Sequence, residues 1–336
     1  MKDVARPWIL AAAGIVTVLA IGVAIATFVT SRRSTPPPVA VAAKPLLSAP
    51  PARPFLMFIS LVPDDTFKRV VLAPLSAPDE ARYVTPLNCD RVYYAGSRGL
   101  CLTAASDGPG VATHVARVFD EHFTQIHTMT LTGPPSRTRL SPDGRRAAFT
   151  VFDEGHSYAD GIFSTRTTFV DTIGGTVIGD LESWTVTRDG KPFANKDFNF
   201  WGVTFAADGN TFFATVRTQG SAYLIEGDVD ARTGRVLMQG AECPSLSPDR
   251  TRIAFKKRLG GSGWWQLSLF DLSTHAVRPL SGDTQSVDDQ VEWLDDGNLI
   301  YFRPGADGNI IWRLPTDTGE PPQPFVREGF SPAVVR

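Results

Sequence analysis

One short pattern recurs in this chain, and it limits the fold more than any other feature. Four segments combine a short apolar stretch, an Asp-centred turn and a β-rich run: Arg139-Leu-Ser-Pro-Asp-Gly-Arg-Arg-Ala-Ala-Phe149, Thr204-Phe-Ala-Ala-Asp-Gly-Asn-Thr-Phe-Phe213, Ser245-Leu-Ser-Pro-Asp-Arg-Thr-Arg-Ile-Ala-Phe255 and Glu292-Trp-Leu-Asp-Asp-Gly-Asn-Leu-Ile-Tyr-Phe302. Proline presets φ at the first turn position, and Asp and Gly tolerate the positive φ of a tight reversal. The alternating flanks supply two half-buried strands, so each segment reads as a β-hairpin.

Two weaker copies extend the series. Val92-Tyr-Tyr-Ala-Gly-Ser-Arg-Gly-Leu-Cys-Leu102 turns at Gly-Ser-Arg-Gly, and Gly329-Phe-Ser-Pro-Ala-Val-Val-Arg336 reads as the start of a further copy. With Arg98, Asp143, Asp208, Asp249, Asp296 and Ala333 as turn anchors, the spacings are 45, 65, 41, 47 and 37 residues. Periods of about 40–50 residues indicate propeller blades rather than helical solenoids. The segments between turns, such as Lys68–Leu72, Ser221–Glu226 and Trp265–Asp271, are strand-like and lack helical periodicity.

A ring of blades must be closed somewhere, because open sheet edges invite aggregation. If Phe330–Val334 is the innermost strand of the first blade, Phe55–Leu61, Lys68–Leu75 and Arg82–Leu87 supply its other three. The expectation is an all-β, six-bladed β-propeller over residues 55–336, closed by the C-terminal strand, with about 47 residues per blade. The 65-residue interval requires an insertion, placed at Ser183–Asn199 around Arg188-Asp-Gly-Lys191.

The first 53 residues differ in kind. Trp8–Thr30 is a run of 23 uncharged residues bounded by Arg6 and Arg32-Arg33. At ~1.5 Å per helical residue it spans a ~30 Å hydrocarbon layer. Ala24-Ile25-Ala26 also resembles a signal-peptidase site, but a signal's apolar region is about 7–15 residues. The reading is an uncleaved signal-anchor over 1–33, with the membrane crossed by residues 8–30. Basic residues flank both ends, so charge does not set the orientation; a large domain behind one anchor is translocated largely regardless of charge. In residues 34–54 seven of 21 positions are proline, which points to a disordered, extended tether. At ~3.1 Å per residue it reaches roughly 60 Å.

Charge and composition exclude other classes. Residues 1–53 carry +5 and the whole chain −2, leaving −7 (27 basic, 34 acidic) for the remainder, which disfavours nucleic-acid binding. With 21 Phe and 7 Trp the body can bury a core. Three cysteines do not build a disulfide scaffold and show no zinc spacing. A Cys89–Cys101 bridge within one hairpin is the favoured pairing, although a turn at Ser97-Arg98 sets the two about five residues out of register.

The repeated Ser-Pro-Asp-Gly hairpin followed by Ile-Ala-Phe-like residues resembles the TolB-like β-propeller family. More narrowly, Phe198–Phe205, Glu242–Asp249 and Val287–Trp293 are similar to single-pass, membrane-anchored bacterial proteins labelled "TolB-like translocation protein". The resemblance implies an exported propeller that binds partner proteins at its channel mouth. On this reading the segment before the propeller is an anchor and tether, where the namesake has an α/β domain.

Catalytic motifs are missing from the sequence. There is no Gly-x-Ser-x-Gly elbow, no phosphate loop and no His-Glu-x-x-His. His114, His122 and His127 are spaced unlike ligands, and Asp228-Val-Asp230 and Asp295-Asp296 lack the later ligands of a calcium loop. Propeller geometry instead selects residues just before each innermost strand and in loops between second and third strands. These are Phe200, Trp201, Glu242, Asp288, Asp289 and Glu328, with Asp153, Glu154, His156, Tyr158 and Lys256-Lys-Arg258 from the other loops. Such an acidic mouth suits a cationic segment or a metal ion. The expected function is a membrane-tethered, extracytoplasmic, monomeric propeller without a cofactor. It would bind an envelope protein or cell-surface ligand and catalyse nothing. The alternative is a metal-dependent, lactonase- or lyase-like propeller enzyme using the acidic mouth.

Overall fold

The computed structural model describes residues 45–105, 113–153, 164–260, 263–306 and 308–336. The expected anchor and most of the tether lie outside them. Among the described residues no helix is long and apolar enough to cross a membrane.

Six sheets follow one another along the chain. The first holds β1 (Phe55–Ser60), β2 (Arg69–Pro74) and β3 (Tyr83–Asn88). The second holds β4 (Arg91–Ala95), β5 (Arg98–Ala105), β6 (Thr113–Asp120) and β7 (Gln125–Leu131). The third holds β8 (Pro135–Leu140), β9 (Arg146–Phe152), β10 (Thr165–Asp171) and β11 (Thr176–Asp180). An added hairpin, β12 (Thr185–Arg188) and β13 (Lys191–Pro192), precedes the fourth: β14 (Asn199–Phe205), β15 (Thr211–Thr218), β16 (Ser221–Asp228) and β17 (Thr233–Gln239). The fifth comprises β18 (Glu242–Leu246), β19 (Arg252–Leu259), β20 (Trp264–Asp271) and β21 (Val277–Pro279). The sixth comprises β22 (Glu292–Asp295), β23 (Asn298–Gly305), β24 (Gly308–Pro315) and β25 (Gln323–Arg327). The last strand, β26 (Gly329–Val335), returns to pair antiparallel with β1, giving the order β26-β1-β2-β3. The ring is a six-bladed β-propeller sealed by its own two ends.

The expected insertion is the β12–β13 hairpin. It lies outside β17 and pairs with it in parallel, so the fourth sheet has six strands. The expected last motif needs correction. Ser331-Pro332-Ala333 does not form an Asp-type turn: Ala333 sits mid-strand opposite Met57. Ser331 has φ 52° at a register shift, as does Cys243 (φ 51°) before Pro244 in β18, so Ser331-Pro332 matches Cys243-Pro244. A Ser-Pro pair alone does not distinguish a strand bulge from a turn.

Period-2 alternation divides each strand between two neighbours. In β9, Ala147, Phe149 and Val151 join the apolar layer against the second blade, while Ala148 faces the fourth. Six such clusters fill the six blade interfaces, including the closure, where Leu56, Phe58 and Val71 meet Ile300, Ile311 and Val326. Close packing leaves no room for a side chain at Gly227, where a Cβ would fall 2.1 Å from the Phe212 ring. Polar staples join neighbouring blades on the hairpin side. Arg146 donates to Asn210 and Asp230, each at 2.7 Å, and Arg252 donates to the Asp296 carbonyl at 2.6 Å.

Residues 45–54, read from the sequence as the end of the tether, lie against the first and second blades. Leu46 bridges Arg82, Leu47 N–H donates to the Arg82 carbonyl, and Arg53 donates to the Gly96 carbonyl at 2.7 Å. A disulfide joins Cys89 to Cys101, with Cα atoms 5.5 Å apart. The register difficulty does not arise, because Cys89 lies in the β3–β4 crossover, where its N–H donates to the Lys68 carbonyl. Cys243 is a free, buried thiol.

Candidate functional site

Pairing with the second strand of each blade puts Tyr93, Arg139, Thr204, Ser245, Glu292 and Ala333 at equivalent positions on the six innermost strands; their partners are Leu100, Ala148, Phe213, Ala254, Ile300 and Met57. Two of them carry opposite charges on opposite blades. The Arg139 guanidinium of the third blade reaches the Glu292 carboxylate of the sixth, Nη2 to Oε2 3.3 Å, with both residues buried. The pair crosses the ring, and other blades complete it. Tyr93 O–H donates to Glu292 at 3.2 Å, Val334 N–H donates to the same carboxylate at 3.4 Å, and Arg139 lies 4.6 Å over the Tyr93 ring and donates to the Val291 carbonyl at 3.0 Å. Burial, reinforced by the Glu292 charge, pushes the Tyr93 pKa well up and keeps the phenol a donor. Gln290 spans the other side by donating to the Val203 and Pro244 carbonyls at 3.0 and 2.9 Å.

This network borders a cavity of about 250 Å³ toward the hairpin side of the ring. Tyr94, Phe205 and Trp293 supply apolar and aromatic walls; Ser245, Ser247 and Thr204 supply hydroxyls; Arg250 and Arg336 stand at the rim. The Trp293 indole is held by the Ser245 carbonyl at 2.9 Å. A concave site that combines aromatic walls with convergent polar groups is suited to holding a side chain or short segment of a ligand.

The described residues selected from sequence belong to the other ends of the innermost strands, where the acids have partners of their own. Glu242 accepts from the Trp265 indole at 3.3 Å and lies 3.7 Å from Arg258; Asp288 pairs with Lys256. Lys256 and Arg258 sit 4.7 and 4.8 Å from the Trp265 ring centroid, so Glu242 and Asp288 are joined in one neutralised network. Burial opposes the Lys256 charge, but Cys243, Asp288 and Glu242 outweigh it and hold its pKa above that of an ordinary lysine. Asp289 accepts the backbone N–H of Gln290 and Phe302, at 2.9 and 3.0 Å. Glu328 accepts from Asn309 Nδ2 at 3.0 Å. Phe200 is wholly buried in the interface between the third and fourth blades, and Trp201 is also buried. Asp153 accepts from Ser164 at 2.7 Å. Glu154, His156 and Tyr158 lie outside the described residues.

Among the described residues the donor set does not fit the metal site of the alternative reading. The two acids that come together already have cationic partners, and among the described residues no three His, Cys, Asp or Glu side chains gather as ligands. Sequence reasoning missed Tyr93, Arg139 and Glu292, although each lies in a quoted repeat. The available signal was opposite charge at one repeat position, three blades apart.

No family model matches the chain, and no curated protein matches it. Solved structures do. The chain is similar to TolB from Acinetobacter baumannii, 16% identical over 84% of this chain and 67% of that one, TM-score 0.57. It is also similar to a chain of a nidogen/laminin complex, 10% identical over 83% and 97%, TM-score 0.54. A putative TolB from Agrobacterium tumefaciens is 13% identical over 81% and 87%, TM-score 0.48.

Proposed function

We propose that this chain, whose fold is the six-bladed propeller seen in TolB, is a non-catalytic binding module that takes a segment of a partner protein at the hairpin-side mouth of its channel. The observation that carries this reading is the cavity beside the Arg139–Glu292 pair. It is concave and aromatic-walled, and the charged groups at its floor, Arg139 and Glu292, are paired with each other and with Tyr93. A floor held by an ion pair and several hydrogen bonds is rigid, which lowers the ordering cost of binding. The 23-residue apolar run at Trp8–Thr30 supports a single-pass membrane anchor with the propeller outside the cytoplasm, facing an envelope protein or cell-surface ligand.

Site-specific photo-crosslinking in intact cells tests the reading. A crosslinker replacing Arg250, at the hairpin-side rim, is expected to trap one specific protein. The same group replacing Trp264, which follows β19 on the far side, is expected to trap none. Equal capture from both positions, or from neither, overturns the proposal.

A further inference from the structure

An outermost propeller strand leaves one row of N–H and C=O groups unpaired, and such rows pair with other strands unless they are blocked. Five of the six blades here are blocked. In the first, β3 contains Pro86, and Leu46–Leu47 pair alongside it at Arg82. In the third, β11 is five residues long, and Arg232 of the next blade donates to the Ile178 carbonyl at 2.8 Å. In the fourth, β12 covers β17. The fifth ends in β21, three residues long and including Pro279, and the sixth in β25, which contains Pro324.

The second blade is the exception. Its outer strand β7, Gln125-Ile-His-Thr-Met-Thr-Leu131, is seven residues long without a proline or a formally charged side chain, and among the described residues only β6 pairs with it. Exposed apolar side chains occur on the strand and on the hairpin beside it. Ile126 is on β7 itself; Ile173 and Val177, 47% and 58% exposed, belong to the adjoining β10–β11 hairpin, which is tied on by His127 Nε2 and the Ile173 carbonyl at 2.9 Å.

We propose that β7 is a self-association edge, pairing antiparallel with β7 of a second copy of this chain about a two-fold axis at Thr128. The strand is compatible with itself in that register. Thr128 faces its own copy, Ile126 faces Thr130, His127 faces Met129 and Gln125 faces Leu131, so β-branched residues oppose one another and no formal like charges meet. The acidic turn at Asp120-Glu121 precedes the strand, so the two copies of it fall at opposite ends of the pair. At ~3.3 Å per residue the seam is only about 23 Å long, which places the dimer among small, weak interfaces with a Kd on the order of 10–100 µM.

The test uses the full-length chain. Sedimentation velocity from micromolar to several hundred micromolar is expected to show a reversible monomer–dimer shift. Thr128→Lys, which opposes two ammonium groups on the axis while leaving the circular dichroism of the propeller unchanged, is expected to abolish that shift. Thr128→Cys is expected to give a disulfide-linked dimer under mild oxidation; Val277→Cys, on the outer strand of the fifth blade, is not. A monomer at every concentration, a dimer that survives Thr128→Lys, or equal crosslinking from both cysteine positions overturns the proposal. So does finding β7 occupied by a strand of a different protein.

Discussion

Arg139 and Glu292 are 153 positions apart in sequence and stand on opposite blades, yet their side chains meet within the ring at 3.3 Å. Both are buried, and both have further partners in Tyr93, Val334 and the Val291 carbonyl. The pair therefore links the third and sixth blades across the ring instead of through the apolar interfaces between neighbours.

Removing one partner strands a buried charge. Arg139→Leu or Glu292→Gln alone is expected to cost about 3–5 kcal/mol, whereas the double variant costs markedly less than the sum. A double-mutant cycle by urea denaturation measures the coupling. Additive losses would show that the pair does not act as a unit.

Glu182 titrates far from its ordinary range. Burial, with a smaller contribution from the Asp180 charge, pushes its pKa up to about 8 against the Thr167 N–H bond that favours the anion. Between the unfolded value and about 8 the native state holds a proton that the unfolded chain has released, so stability falls as pH rises through that window and levels off above it. Glu182→Gln is expected to remove this slope, gaining roughly 1–3 kcal/mol relative to the parent between pH 4.5 and 8.5. Thermal denaturation across that range measures it; parallel curves for the two proteins would refute the assignment.

Gly227 lies against the Phe212 ring. Gly227→Ala is expected to destabilise by about 1–3 kcal/mol through overpacking. Adding Phe212→Leu, which removes the ring atoms a Cβ would strike, is expected to recover part of the loss. No recovery in the double variant would place the cost in the backbone instead.

The three cysteines should behave differently. Cys89→Ser with Cys101→Ser opens a loop with a sequence separation of 12 and is expected to lower stability by about 2–3 kcal/mol. Cys243 is buried, and burial raises its pKa, so a thiol reagent is expected to label it only after unfolding. Counting thiols in the native and denatured chain distinguishes the two behaviours.

Much of this molecule was readable before any coordinates because it is local. An Asp-Gly or Pro-Asp turn between alternating strands specifies its own hairpin, so Arg139–Phe149, Thr204–Phe213, Ser245–Phe255 and Glu292–Phe302 could be recognised in isolation, and their spacing implied blades. The 65-residue interval exposed the added hairpin, and a ring's need for closure put Phe330–Val334 beside β1. The channel is assembled from six strands that lie dozens of residues apart. Whether an acid faces a cation, a carbonyl or water depends on side chains arriving from other blades. The sequence put Glu242, Asp288 and the basic run Lys256–Arg258 at one face without saying which acid would pair with which base; the fold pairs Asp288 with Lys256 and sets Arg258 beside Glu242. Arg139 and Glu292 looked like ordinary strand residues until the ring brought their blades opposite each other. The chain encodes its turns within a few residues, whereas the partners of its buried charges exist only once the circle has closed.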